Sequence, residues 1–197
     1  MIVAIYHADH VAVIIMEPTP SLFSIGILGC AQIAKKNVRA AHKSQSCKVT
    51  AIASRSKQKA DGFVSEVLGH DNNQQSIEIY AGDDAYNTLL QNSKVDSVYI
   101  PLPTTLHDRY VPNALSANKH VLLEKPVAVS TTSYREMLYA ASQNNKFLMD
   151  GTMFVHHPRT KSFVTSIANP NRVTFNVSTR FEPRDSIICS WFYIIQY

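Results

Sequence analysis

Several things are missing from this chain, and each absence removes a class of protein. Its three cysteines, Cys30, Cys47 and Cys189, are an odd number with no CxxC pair. That pattern excludes a disulfide scaffold and a structural zinc site, so no metal is expected, and it suits a reducing compartment, with the cytoplasm as the expected location. Charge of one sign is lacking too: 19 Lys and Arg against 15 Asp and Glu leave a net +4. The basic residues are scattered, Lys35, Lys36 and Arg39 being the densest group, and no basic stripe with interleaved aromatics offers itself to nucleic acid. The opening MIVAIYHADHVAVII is apolar but broken by His7, Asp9 and His10. It is too short for a bilayer and lacks the basic start and small-residue cleavage site of a secretory leader, so no membrane partner is expected. Met16 begins the polar stretch ahead of the first periodic strand, so the natural start is expected at Met16, or else residues 1–15 are a disordered part of an N-terminal extension spanning 1–21.

What is present suits a globular protein with a real core. Of 197 residues, 45% are hydrophobic and 17% charged, enough for one full domain and a fragment of a second. From Leu22 onward, short apolar runs alternate with longer amphipathic ones. The runs 22–28, 48–54, 77–80, 95–103, 120–126 and 146–151 read as six strands, continuous rather than alternating in polarity. Between them, 31–43, a segment capped by Ser56 and closed by Gly69, 83–90, 106–119 and 130–145 read as helices. Pro112 is expected to kink its helix or sit in the first turn, and Tyr134, Met137, Leu138 and Ala141 share one face of theirs. Strands of this kind alternating with helices predict an α/β fold, a doubly wound parallel sheet of Rossmann type over residues 22–151. After Gly151 the rhythm changes. Residues 156–169 read as a helix, 172–181 as a strand polar on one face, and the apolar 182–197 as an atypical tail.

The chemistry-bearing motifs stand at strand ends. Gly26-Ile-Leu-Gly29-Cys-Ala31-Gln-Ile33-Ala34 lies at the first strand-to-helix turn. In the GxGxxG alignment Gly29 permits the tight turn, small Ala31 lets the backbone approach a pyrophosphate, and small Ala34 lets helix and strand pack closely. The second strand ends in Ala53-Ser54-Arg55-Ser56, with Lys57 and Lys59 close behind. An NAD site usually carries Asp or Glu here for the ribose 2′-hydroxyl. A hydroxyl and a guanidinium fit a 2′-phosphate instead, so NADP is expected as cofactor and NAD less so.

With the glycine turn, Ser54-Arg55, Pro101-Leu102-Pro103-Thr-Thr-Leu-His107 and Glu124-Lys125-Pro126 in order, residues 23–181 resemble the Gfo/Idh/MocA oxidoreductases. Within that family the chain looks closest to a plant branch related to dimeric dihydrodiol dehydrogenase and NADP-dependent xylose dehydrogenase. The resemblance implies NADP-dependent hydride transfer at a hydroxyl-bearing carbon of a sugar, polyol or dihydrodiol. It implies a cofactor set of Gly26, Gly29, Cys30, Ala31, Ile33, Ser54, Arg55, Lys59, Pro101, Leu102, Pro103, His107, Glu124 and Lys125. In it the turn from Pro101 to His107 lines the nicotinamide ribose side, and Glu124 and Lys125 stand beside the nicotinamide. Lys125 carries the catalytic role, hydrogen-bonding the reacting oxygen as charge develops there. Pro126 corresponds to a cis-bonded proline that aims this lysine. His156 and His157, at the junction to the next domain, stand near the substrate.

The resemblance also implies a continuation of roughly 150 residues into an α/β substrate domain that supplies an acid/base partner and the dimer interface. Here 152–181 read as only the start of it, so a truncated product is expected, with homo-oligomers belonging to the full-length parent. Two functions stay open on these grounds: the oxidoreductase itself, or an inactive NADP(H)-binding fragment that pairs with a full-length homologue.

Overall fold

A computed structural model describes residues 2–6, 12–16, 22–69, 77–152 and 157–167. Its centre is a six-stranded parallel sheet made of β3 (Phe23–Leu28), β4 (Cys47–Ser54), β5 (Glu78–Ala81), β6 (Ser97–Ile100), β7 (His120–Leu123) and β8 (Leu148–Asp150). The order across the sheet is β5-β4-β3-β6-β7-β8. The chain therefore starts in the middle, builds outward one way, then returns to β6 on the other side of β3. That reversal between β3 and β6 is the switch point at which open α/β sheets leave a crevice outside the strand carboxyl ends.

Helices cover both faces. Cys30, Ala34, Val38, Ala41, Ala60 and Phe63 pack with Ile25, Ile27, Val49 and Ile52, so α1 (Gln32–His42) and α2 (Lys57–Leu68) lie on one side. On the other, Leu89, Tyr110, Val111, Leu115, Met137 and Ala141 pack on Leu28, Val98, Ile100, Val121 and Leu123 from α3 (Ala85–Leu90), α4 (His107–Ser116) and α5 (Thr131–Gln143). Burial on both faces explains why the strand runs lack alternation: β6 is buried at all four positions. Ser56 and Ser130 cap α2 and α5 as their sequences predict, accepting the amide hydrogens of Lys59 and Ser133.

Three readings are corrected. First, Ile2–Tyr6 and Ala12–Met16 pair as an antiparallel hairpin, β1 and β2, separate from the main sheet. The β-branched content of IVAIY and AVIIM favours extended backbone where disorder is one of the two expectations. Second, Leu138 is exposed while Met137 and Ala141 are buried and Tyr134 is half-buried, because the i, i+3, i+7 stripe faces the sheet and i+4 falls at its margin. Third, Pro112 lies in the interior of α4 and not in its first turn, and Thr104–Leu106 form a separate 3₁₀ turn ahead of that helix. The helix α6 (Pro158–Ile167) follows β8. The strand expected at 172–181, the tail 182–197 and His156 lie outside the described residues.

Candidate functional site: the carboxyl ends of the parallel strands

The turn after β3 begins at Gly29, whose φ of +104° is left-handed and suits glycine. Its amide donates to the Ala53 carbonyl at 2.8 Å, locking the turn to the end of β4. A Cβ on Gly29 stands 2.8 Å from Leu102 Cδ2, so the turn after β3 and the turn after β6 touch. Ala31 is the N-cap of α1. No side chain caps this helix, and no acidic residue stands in its first turn. The contrast with the serine caps of α2 and α5 is chemical: the Ala34 amide donates to the Ala31 carbonyl at 3.0 Å, the amide hydrogens of Gln32 and Ile33 are left for an outside acceptor, and the helix end favours an anion there. Ala34 is fully buried, as close packing of helix on sheet requires.

One residue of the expected loop does other work. Gly26 sits inside β3, where an added Cβ stands 2.7 Å from Leu89 Cδ2 and 3.1 Å from Val95 Cγ1. Its missing side chain makes room for α3 against the sheet, three residues short of the loop. Ile33 is the second residue of α1 and half-buried. Cys30 is buried beside Ser54. Burial pushes its thiol up from the ordinary value, and the Ser54 hydroxyl and Lys59 charge pull only partly against that. A thiol held neutral in this way is a packing group rather than a nucleophile.

At the end of β4, Ser54 is buried and its hydroxyl accepts the Ser56 amide hydrogen at 3.3 Å, whereas Arg55 and Lys59 are exposed. Lys57 pairs with Asp61 at 2.9 Å. The guanidinium of Arg55 stands beside the hydroxyl of Tyr86; burial raises the pKa of this phenol, and the arginine charge offsets part of the rise. Tyr86 is buried on α3, stacked edge-on with Tyr110 at 5.0 Å. Its hydroxyl lies 4.0 Å from the Gly29 Cβ position, so it joins the glycine turn to the arginine. Sequence reading assigns it no role, because a tyrosine on the apolar face of a short helix looks like core.

At the end of β7, the Glu124 carboxylate is buried and held at both oxygens. Tyr99 donates its hydroxyl to Oε1 at 2.6 Å, and the Lys125 amide donates to Oε2 at 3.1 Å. Burial, then the neighbouring carboxylate, pushes the Tyr99 phenol far above its usual value, so it stays a donor. The Glu124 amide donates to the Ile100 carbonyl at 3.2 Å. Lys125 itself is exposed, and the Lys125–Pro126 bond is cis. Pro101 and Leu102 are buried, and Pro103 is exposed. His107 is fully buried, with Nε2 2.9 Å from the Leu102 carbonyl oxygen and Nδ1 3.0 Å from that of Val127. His157 opens α6: its Nδ1 accepts from the Arg159 amide at 3.1 Å.

The strand ends thus assemble one line of residues from an anion-ready helix start to an exposed lysine on a braced turn. Together with the strand order, this defines a dinucleotide-binding protein of Rossmann type. The chain belongs to the Gfo/Idh/MocA oxidoreductase family: the family profile, an oxidoreductase family with an NAD-binding Rossmann fold, matches residues 23–152. A dTDP-3,4-didehydro-2,6-dideoxy-alpha-D-glucose 3-reductase of Actinomadura kijaniata is 35% identical over 136 residues, covering 68% of this chain and 38% of its own length. D-xylose 1-dehydrogenase (NADP(+)) 2 of Haloferax volcanii is 31% identical over 159 residues, 81% of this chain and 46% of its own. Among solved structures, a 3-ketoreductase from Actinomadura kijaniata in complex with NADP and TDP-benzene superposes with a TM-score of 0.64 at 33% identity, covering 74% of this chain and 42% of that one. The chain therefore spans less than half the length of these relatives. Among the described residues, no helix is long and apolar enough to cross a membrane.

Proposed function

We propose that residues 22–151 bind NADP(H) in preference to NAD(H), within an oxidoreductase acting at a hydroxyl-bearing carbon of a sugar, polyol or dihydrodiol. The observation that carries this is exposed Arg55 directly after β4, where a carboxylate would repel a 2′-phosphate and a guanidinium binds one in a fork. The uncapped start of α1 supplies the pyrophosphate end. The sugar-acting relatives, one of them NADP-dependent by name, support both cofactor and substrate class. When bound, the cofactor supplies the hydride chemistry. Lys125 stands exposed on the Glu124 turn, where its ammonium donates to the substrate oxygen and stabilises negative charge developing there. In this reading residues 152–181 begin a substrate domain that includes His156 and His157, and the complete enzyme is cytoplasmic and associates through that domain.

The test is a titration of the purified chain with NADPH and with NADH, followed by nicotinamide fluorescence. Binding of NADPH at least about tenfold tighter is expected, and equal or stronger binding of NADH overturns the reading. A second reading is cofactor binding without turnover, since the family profile that matches residues 23–152 is that of the NAD-binding Rossmann fold. An assay over sugars, polyols and dihydrodiols separates the two: hydride transfer supports the enzyme, and tight binding without transfer supports the binder.

A further inference from the structure

Among the described histidines only His107 is wholly withdrawn from solvent, at 0% exposure. We propose that His107 is a positioning residue for the nicotinamide half of the cleft: its ring ties the turn after β6 to the turn after β7 and so sets where Lys125 stands. The inference rests on the cofactor reading above for what fills the cleft. It replaces direct contact between His107 and cofactor, since a ring with no exposed surface and both nitrogens on backbone carbonyls has no edge to offer a ligand.

The geometry makes the ring a joint between segments distant in sequence. Its Nε2 meets the carbonyl of Leu102, and the Leu102 side chain is the group facing Gly29. Its Nδ1 meets the carbonyl of Val127, two residues beyond Lys125. One imidazole therefore connects the glycine turn, the Pro101–Pro103 turn and the lysine turn. A carbonyl oxygen only accepts, so the ring nitrogen that carries hydrogen donates to its carbonyl while the other nitrogen packs against the second carbonyl. His107 is itself anchored as the first residue of α4, whose Tyr110, Val111, Ala114 and Leu115 are buried in the core. It does not cap that helix, because Leu106 holds the cap position. On the other side of the lysine, Tyr99 grips Glu124 at 2.6 Å. The turn bearing Lys125 is thus pinned one residue before the lysine and two residues after it, while the side chain stays exposed.

Replacing His107 by Asn, Gln and Leu tests this. The amide nitrogen of Asn falls near the place of Nδ1 and keeps the Val127 link, that of Gln falls near Nε2 and keeps the Leu102 link, and Leu keeps neither. Dissociation constants are measured on the full-length chain for NADPH and for adenosine 2′,5′-bisphosphate, which has the 2′-phosphate half and no nicotinamide. Circular dichroism melts run alongside. His107→Leu is expected to weaken NADPH about tenfold and to leave the bisphosphate unchanged, with Asn and Gln in between. Should the Leu variant fail to fold, the Asn and Gln variants decide by the same split. Variants that bind NADPH like wild type, or that lose both ligands in equal proportion, overturn the proposal. Wild type that binds neither ligand instead overturns the cofactor reading on which it rests.

Discussion

Strand β7 is bracketed by two lysines that do opposite things. Lys119, just before it, is only 5% exposed, and its Nζ donates to the carbonyls of Asn92 and Val95, each at 2.7 Å. Lys125, just past its other end, is exposed on a turn held from beneath by buried Glu124 and Tyr99. Both lysines punctuate a short apolar run, and in sequence they are equivalent. The difference comes from which end of a parallel sheet each occupies. At the amino end the connections between elements must be tied down, and His120 is likewise wedged there, its ring near those of Phe23 and Phe147. At the carboxyl end the backbone is braced, so that side chains are free to meet a ligand. Rigidity beneath an exposed group makes a site; burial of the group itself makes a staple.

Removal of each group separates the two ends by its effect on stability. Lys119→Ala strands the buried Val95 carbonyl and takes one of two donors from that of Asn92, and is expected to cost about 1.5–3 kcal/mol of stability, read from urea unfolding, without altering the preference between NADPH and NADH. If stability is unmoved, the amino end is not held as described. Tyr99→Phe removes the donor to Glu124 Oε1 and leaves a buried carboxylate oxygen without it. A loss of about 1–3 kcal/mol in the same unfolding measurement is expected, and full wild-type stability would count against a braced lysine turn.

The amino end also predicts a pH dependence. Burial lowers the pKa of His120, the Lys146 charge lowers it further, and Asp96 opposes them in part. Its Nδ1 accepts the Phe147 amide hydrogen at 3.1 Å, a role that protonation there abolishes. With the folded-state pKa below the ordinary 6.5, the unfolded chain binds more protons in that region. Stability is therefore expected to fall as pH drops through and below about 6.5. Urea midpoints at pH 7.5 and 5.5 measure the slope, and His120→Asn, which keeps an acceptor near the Nδ1 position, should flatten it. The smallest expected effect is at the other lysine: Lys125→Met shifts the thermal midpoint by no more than about 0.5 kcal/mol in stability terms. A larger loss would erase the contrast between the two ends.

Much of the frame was legible in the chain. The six strands and the helices between them follow from continuous apolar runs and serine caps, and Gly29 and Ala34 could be placed because a left-handed turn and a close helix approach demand small residues. The start of the chain was harder: periodicity broken by His7, Asp9 and His10 gave no reason to pair Ile2–Tyr6 with Ala12–Met16. At the site, residue type misled where burial differs from expectation. His107 looks like a ligand group in sequence, yet its ring is buried against two backbone carbonyls. Tyr86 and Tyr99 look like core and are buried in it, yet their hydroxyls also meet the site's charged groups, Arg55 and Glu124.

By itself, then, the sequence determined the doubly wound sheet, the family, and the replacement of an acidic residue by Ser54-Arg55, because these depend on local spacing, on polarity and on side-chain charge. Only the tertiary structure decided which polar groups face the cleft and which brace it. Lys119 and Lys125, or His107 and Arg55, differ in their surroundings. The deciding partners, Asn92 and Val95 for Lys119, Val127 for His107 and Tyr86 for Arg55, lie twenty and more positions away and are brought to the strand ends when the sheet closes.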